Sequence, residues 1–268
     1  MVADELIRVP GASGFPLAAR LDRPAGAPRA YALFAHCFTC SKDSLAAFHV
    51  GRELAAQGIA VLRFDFTGLG YSGGDFAETN FSSNMADLTA AADFLREKFA
   101  APRILIGHSL GGTAVLAAAS RIPEASAVVT IGAPCQPGHV RRLLGVAGAE
   151  VQVRGEAEVL LAGRKFRIKR QLLDDLEGHD PRESISGLRK AILVFHSPVD
   201  STVDIANATE IFGAARHPKS FVSLDGADHL LTRKADSAFV AAVLSSWASR
   251  YVIDESPMRS RHGEILHE

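Results

Sequence analysis

The pentapeptide Gly107-His108-Ser109-Leu110-Gly111 places a serine between glycines, after a short apolar run and before an alanine-rich stretch. This spacing predicts a sharp turn from a strand at residues 104–106 into a helix at residues 110–121. Such a turn exposes the serine hydroxyl, and the N–H groups of a helix N-terminus stabilise negative charge beside it. The sequence therefore predicts Ser109 as a nucleophile. The alternative is an incidental serine in a glycine-rich turn.

A serine hydroxyl needs a general base, because it is a weak nucleophile at its own pKa. Among ten histidines we favour His229, which follows a predicted strand at residues 221–224. His196 ends a strand and is expected to pack against the site, whereas His217 precedes a strand and belongs to the opposite edge of the sheet. His108 is next to the serine and must point elsewhere. The alternative for His229 is an exposed loop histidine.

A carboxylate must fix the tautomer of that base. Asp200 follows the predicted strand at residues 192–195, which precedes His229 in the chain and gives the order serine, acid, histidine. Asp204 is the rival acid, but its position before a predicted helix at residues 206–215 favours a capping role. We therefore assign the acid to Asp200.

Two backbone N–H groups would complete the site as an oxyanion hole. One should belong to Leu110, the residue after the nucleophile. The other should come from the loop after the strand at residues 31–35, where we assign it to Phe38. Acyl transfer by these groups needs no metal and no organic cofactor.

These residues require a scaffold, and the rest of the chain predicts one. From residue 31 onward, short β-rich apolar runs alternate with longer helical patterns. This alternation predicts an α/β fold whose central sheet of about eight strands is mostly parallel and has helices on both faces. The chemistry of such sheets lies beyond the carboxyl ends of the strands, where all three candidate side chains fall.

One segment interrupts the alternation. We predict an α/β core at residues 1–134 and 188–252, and a small cap inserted at residues 135–187 over the active site. The cap should hold a hairpin at residues 158–168 and a helix at residues 170–176. Its apolar side chains either line the substrate pocket or only pack the insertion onto the core: Val159, Leu161, Phe166 and Leu172. Residues 253–268 are polar, lack periodicity and are expected to form a tail or linker.

Composition limits the classes of partner. A net charge of −1, with Lys and Arg spread along the chain apart from one cluster at residues 164–170, argues against nucleic-acid binding. No run approaches the roughly 20 apolar residues of a membrane span, and no signal peptide precedes the first predicted strand, so we expect a cytoplasmic protein. An exposed apolar cap face would permit a homodimer, although nothing requires one.

Five ordered motifs together resemble the α/β-hydrolase superfamily. Besides the serine motif, these are the loop at residues 36–38, the turn at residues 63–72, the acid loop at residues 196–200 and the histidine loop at residues 226–229. The loops at residues 36–43 and 217–221 also resemble the hydrolase half of bacterial proteins fused to an OsmC-like peroxide-reducing domain. That resemblance implies an OsmC-like partner domain. The insertion resembles the cap of cinnamoyl and feruloyl esterases, which suggests carboxylic esters as substrates.

Cys37 stands where the superfamily has a glycine, and with Cys40 it forms a C-x-x-C motif. We expect two separate buried thiols, as most free cysteines are. The alternative hypothesis is a redox pair that flanks Phe38, in which disulfide formation would distort the oxyanion hole and lower activity.

Three functions remain open at this point. The first is hydrolysis of a small-molecule carboxylic ester, with thioester, lactone, amide and peptide substrates using the same groups. The second is a perhydrolase that makes peracids from hydrogen peroxide on the same triad, which a halide-dependent bromination assay would detect. The third is a binding module with a relic triad, which a serine-directed phosphonate would not label.

Overall fold

An eight-stranded sheet forms the centre of the computed structural model, which describes residues 3–161 and 163–252. The strand order is β1-β2-β4-β3-β5-β6-β9-β10, while β7 and β8 form a separate hairpin. The strands are β1 (Ala3–Pro10), β2 (Pro16–Arg23), β3 (Ala30–Ala35), β4 (Ile59–Phe64), β5 (Ile104–His108), β6 (Ala127–Ile131), β7 (Glu156–Leu161), β8 (Arg164–Lys169), β9 (Ala191–His196) and β10 (Lys219–Ser223).

The sheet is mostly parallel, as predicted. Only β1 with β2 and β2 with β4 pair in antiparallel fashion, whereas the pairs from β4 to β10 are parallel. Every residue of β4, β5, β6 and β9 is buried. These strands therefore need helices on both faces, since a parallel sheet exposes neither face to water.

The helices supply that cover. They are α1 (Leu45–Ala56), α2 (Phe81–Lys98), α3 (Leu110–Ala118), α4 (Val140–Leu144), α5 (Val146–Arg154), α6 (Arg170–Glu177), α7 (Pro181–Gly187), α8 (Ala206–Ala214) and α9 (Lys234–Ala248). The apolar sides of α1 and α9 share one core cluster on one face of the sheet. Those of α2, α3 and α8 share the second cluster on the other face. Two hydrophobic layers thus hold the sheet in place.

The segment between β6 and β9 carries the predicted hairpin, now seen as β7 and β8, and the predicted helix, α6. It also contains α4, α5 and α7, which the sequence pattern did not indicate. Val159, Phe166 and Leu172 are buried in the core, so these side chains pack the segment onto the sheet. The boundaries of a separate cap unit, residues 135–187, remain a proposal.

None of the described helices is long and apolar enough to cross a membrane. The predicted tail at residues 253–268 lies outside the described residues.

Candidate active site

Ser109 occupies the turn between β5 and α3 in a strained backbone conformation, with φ of 53° and ψ of −127°. Its N–H donates to the Ile131 carbonyl at 2.9 Å, which fixes the turn against β6. The neighbouring glycines leave no room for a side chain, because a Cβ on Gly107 would lie 2.2 Å from the Gly111 carbonyl oxygen. The strand and helix therefore approach closely enough to project the serine hydroxyl from the sheet edge.

His229 lies against that hydroxyl. Its Nε2 is 3.0 Å from the Ser109 Oγ, and its Nδ1 is 2.7 Å from the Asp200 Oδ2. The structure thus brings together three residues from three separate loops, in the order that sequence analysis predicted. Because a carboxylate only accepts, Nδ1 carries the proton and Nε2 is free to take one from the serine.

Hydrogen bonds to the second carboxylate oxygen of Asp200 hold this side chain in place. Oδ1 accepts the N–H groups of Thr202 and Val203, each at 2.9 Å. Burial acts to raise the pKa of Asp200, but the hydrogen bonds from His229 and these N–H groups outweigh it and hold that pKa below its usual value. Asp200 is therefore ionised at neutral pH. The rival, Asp204, accepts the Ala206 N–H at 2.8 Å just before α8, but the N-cap residue of that helix is Ile205, which gives it no side-chain cap.

The two predicted oxyanion donors are both available. Leu110 begins α3, so its N–H has no partner within the helix. Within residues 3–161 and 163–252, neither this N–H nor that of Phe38 has a hydrogen-bond acceptor. Both residues line a small cavity beneath the loop at residues 36–39. Unpartnered backbone N–H groups are the kind of donor that an oxyanion hole uses.

A buried network fixes the far end of that loop. The Lys42 N–H donates to the Asp65 Oδ1 at 2.6 Å, and the Lys42 ammonium lies 3.2 Å from Oδ2. Arg63 donates to the Lys42 carbonyl and forms a fully buried ion pair with Asp22. Loss of one partner from such a pair costs about 3–5 kcal/mol, because the other charge is left buried. The loop thus rests on a rigid base.

The structure corrects the expectation for the cysteines. Cys37 and Cys40 are joined in a disulfide, with their Cα atoms 5.2 Å apart, so the prediction of two separate thiols is wrong. Their three-residue separation places the Cβ atoms on one side of a tight turn, within reach of a disulfide. The third cysteine, Cys135, is free and buried.

A cleft of about 450 Å³ opens onto the serine and histidine. Its walls are mostly apolar and are formed by the oxyanion loop, the tip of the β7–β8 hairpin, α4 and the loops of the acid and base. The lining residues are Cys37, Phe38, Thr39, Cys40, Ser109, Leu143, Leu160, Leu161, Thr202, His229 and Leu230. Of the insertion residues singled out from the sequence, only Leu161 is among them. A larger cleft of about 580 Å³ lies along α4 and α8, but neither Ser109 nor His229 lines it.

Comparison with known proteins identifies the family. Residues 26–162, half of the chain, match the model described as Hydrolase_4, serine aminopeptidase S33. The chain belongs to this family. It is also similar to the esterase domain of a Rhodothermus marinus protein, at 51% identity over 94% of this chain and 100% of that one, with a TM-score of 0.77. These findings confirm the predicted α/β-hydrolase superfamily and a hydrolytic enzyme.

Two further relatives are more distant. The mitochondrial palmitoyl-protein thioesterase ABHD10 of Mus musculus is 26% identical over 212 residues, which are 76% of this chain and 70% of that protein. Est1E from Butyrivibrio proteoclasticus, solved with ferulic acid bound, is 19% identical over 92% of this chain and 99% of that one, with a TM-score of 0.80. The second likeness concerns the fold alone. Fusion to an OsmC-like domain stays a prediction.

His108 has a role in this hydrolase that sequence analysis did not foresee. Its Nε2 lies 2.7 Å from the carbonyl oxygen of His229, so the ring donates across 121 residues of chain to the loop of the base. Burial, with a smaller contribution from the charge of His229, lowers the pKa of His108 to about 4. His108 therefore stays neutral and carries its proton on Nε2. No local sequence signal marks this contact.

The remaining histidines and a glycine complete the surroundings of the acid. The His196 Nε2 donates to the Val203 carbonyl at 2.8 Å, so His196 packs against the site as predicted. His139 reaches from the insertion to the Thr202 carbonyl at 2.9 Å. A Cβ on Gly132 would lie 3.3 Å from the Asp200 carboxylate, which explains a glycine directly after β6. Neither His139 nor Gly132 was singled out from the sequence.

Proposed function

We propose that this serine hydrolase cleaves carboxylic esters or thioesters of apolar acids through an acyl-enzyme formed on Ser109. The observation that carries the proposal is the chain of contacts from Ser109 to His229 to Asp200, which lies in a mostly apolar cleft. The names of the Rhodothermus marinus esterase domain and the mouse thioesterase support the same substrate classes.

In the proposed first step, the Ser109 Oγ attacks the carbonyl carbon while His229 Nε2 accepts its proton. Asp200 stabilises the imidazolium that forms. The negative charge on the former carbonyl oxygen is stabilised by the N–H groups of Phe38 and Leu110 and by the N-terminal end of α3. His229 then returns the proton to the departing alcohol or thiol.

Water completes the cycle by the same route. His229 removes a proton from a water molecule that attacks the acyl-enzyme, and then protonates Ser109 as the free acid leaves. The apolar walls formed by Leu143, Leu160, Leu161 and Leu230 would hold the acyl chain, because burying apolar surface contributes about 25 cal/mol per Å².

Hydrolysis of p-nitrophenyl esters from acetate to decanoate, and of the matching aryl thioesters, tests the proposal. We expect turnover that is lost in Ser109→Ala and kept in Ser246→Ala, a matched change on the exposed side of α9. The chain-length optimum would measure the usable length of the cleft. A folded protein that neither turns over these substrates nor reacts with a serine-directed phosphonate would refute the proposal and favour a binding module.

A further inference from the structure

One peptide group connects the acid of the triad to the insertion. This acid-loop peptide lies between Thr202 and Val203, and its N–H donates to the Asp200 Oδ1 at 2.9 Å. Its carbonyl, that of Thr202, lies 2.9 Å from the His139 Nε2. A trans peptide group is planar, and its N–H and C=O point in opposite directions. A contact that fixes the carbonyl therefore also fixes the N–H that Asp200 accepts.

The His139 ring is in the right state to hold that carbonyl. A carbonyl oxygen only accepts, so Nε2 carries a proton. Burial lowers the pKa of His139, and the hydrogen bond to Thr202 only partly opposes this effect. The ring is therefore neutral at pH 7, with its single proton on Nε2. Protonation of Nδ1 at lower pH would leave this donor in place.

His139 comes from a part of the chain far from the acid loop. It ends the short helical turn Pro137–His139, which lies between β6 and α4 within the proposed insertion. Its contact with Thr202 spans 63 residues of sequence. The insertion thus supplies a side chain that holds the loop of the acid as well as part of the cleft wall.

The backbone on both sides of this turn is anchored to the core. The Thr113 hydroxyl donates to the Pro134 carbonyl at 2.6 Å. The Cys135 N–H donates to the Asn207 Oδ1 at 3.0 Å. Val140, directly after the turn, is buried in the core. The turn is therefore a fixed base from which the histidine reaches the acid loop.

We propose that His139 is a positioning residue that orients Asp200 through the acid-loop peptide. The inference rests on the proposed function of the triad. Without the histidine donor, the acid-loop peptide would be free to rotate, and Asp200 Oδ1 would lose one of the two N–H groups that it accepts. The carboxylate would then leave the Nδ1 of His229 for part of the time, and the base would lose its orientation.

The expected loss follows from the strength of the contact with the acid. A hydrogen bond to a charged group contributes about ten-fold to 150-fold to an equilibrium constant. The Thr202 N–H still holds Oδ1, so we expect the lower end, a fall of about ten-fold in kcat. KM should change little, because His139 is not among the described residues that line the cleft of Ser109.

Two amide variants of His139 separate the hydrogen bond from the rest of the side chain. Glutamine places its amide nitrogen about as far from the backbone as Nε2, whereas asparagine ends one bond shorter and cannot reach the carbonyl. For hydrolysis of one p-nitrophenyl ester, His139→Asn should lower kcat about ten-fold, and His139→Gln should stay within about three-fold of wild type. Thermal unfolding and circular dichroism follow the fold of both variants.

A double-mutant cycle with Asp200 distinguishes positioning from a general structural role. In an Asp200→Asn enzyme the carboxylate is already absent, so adding His139→Asn should lower kcat by less than about two-fold. A side chain that merely supports the insertion or the cleft would instead cause the same loss in both backgrounds.

Equal losses in the two backgrounds would overturn the inference, as would a His139→Asn enzyme with wild-type kcat. It would also be overturned if asparagine and glutamine lowered kcat equally, or if circular dichroism traced the loss in His139→Asn to unfolding. Wild-type protein that shows neither turnover nor phosphonate labelling would instead refute the proposed function, and this inference with it.

Discussion

Replacement of Asp200 by asparagine tests the triad most directly, because the surrounding contacts dictate how the amide must lie. The Oδ1 of Asp200 accepts two N–H groups, those of Thr202 and Val203. An asparagine would keep its carbonyl oxygen there, since the opposite orientation would leave two buried donors without an acceptor. Its NH₂ group would then face the Nδ1 of His229.

An NH₂ group in that position favours the wrong tautomer of the base. The His229 Nδ1 would have to accept, which moves the ring proton to Nε2 and towards Ser109. His229 could then no longer take the serine proton. We expect kcat to fall by about 10³-fold to 10⁴-fold, equivalent to about 4–5 kcal/mol of transition-state stabilisation, with KM little changed.

The assay is steady-state hydrolysis of a p-nitrophenyl ester, with thermal unfolding followed in parallel. Asp204→Asn is the matched control, because that side chain only accepts the Ala206 N–H and lies outside the hydrogen-bonded triad. A folded Asp200→Asn enzyme that keeps more than a tenth of the wild-type kcat would refute the tautomer argument.

Three further predictions follow from contacts around the site. His108→Phe should lower kcat about ten-fold, because the carbonyl of His229 loses its hydrogen-bond donor. His108→Gln should lower kcat less, because its side-chain amide can still donate to that carbonyl. Wild-type kinetics in both variants would contradict this prediction. Folded His108 stays neutral down to about pH 4, whereas the unfolded residue is protonated below about 6.5. The free energy of unfolding should therefore fall as the pH is lowered through this window. In urea titrations, the fall should be about 3 kcal/mol larger in wild type than in His108→Gln. Gly112→Ala should destabilise the fold by about 1–3 kcal/mol, because the new Cβ would lie 2.5 Å from the Cβ of Ala133. The control is Gly213→Ala, whose Cβ meets open space and which should raise the free energy of unfolding by about 0.5–1 kcal/mol. Similar melting temperatures for the two variants would contradict the packing argument.

The features that sequence predicted are those with a local signal. Apolar runs of strand length gave the buried strands, and the order of the serine, acid and histidine loops along the chain indicated which side chains meet. The parallel sheet then brings them to one edge, because the carboxyl ends of its strands lie together. Ser109, Asp200 and His229 could be selected in this way without any knowledge of their distances.

The features that sequence missed depend on contacts between distant parts of the chain. The hydrogen bond from His108 joins loops 121 residues apart. Helix α4 is only five residues long, too short for a helical period to emerge, and neither α4 nor α5 begins with a side-chain cap. The disulfide was missed for a different reason: proximity of Cys37 and Cys40 permits a bond but does not distinguish it from two thiols.

The strained residues show why the catalytic loops resist prediction from local preferences. In the described ranges, three residues other than glycine have positive φ: Thr39, Ser109 and Leu231. They lie in the oxyanion loop, at the nucleophile and two residues after the base. Each costs on the order of 1–3 kcal/mol, a large share of a typical stability of about 5–15 kcal/mol.

At each strained residue, contacts with the rest of the fold outweigh the residue's own backbone preference. A disulfide closes the turn at Thr39, and the Ile131 carbonyl accepts the N–H of Ser109. Leu231 is buried, and its N–H donates to the Asp228 carbonyl at 3.1 Å. Tertiary structure therefore opposes local preference in the oxyanion loop, at the nucleophile and in the loop of the base. Glycine at residue 39 should therefore relieve strain and raise stability, whereas glycine at residue 231 should lower stability, because the loss of a buried leucine side chain costs about 2–5 kcal/mol and outweighs the strain that it removes.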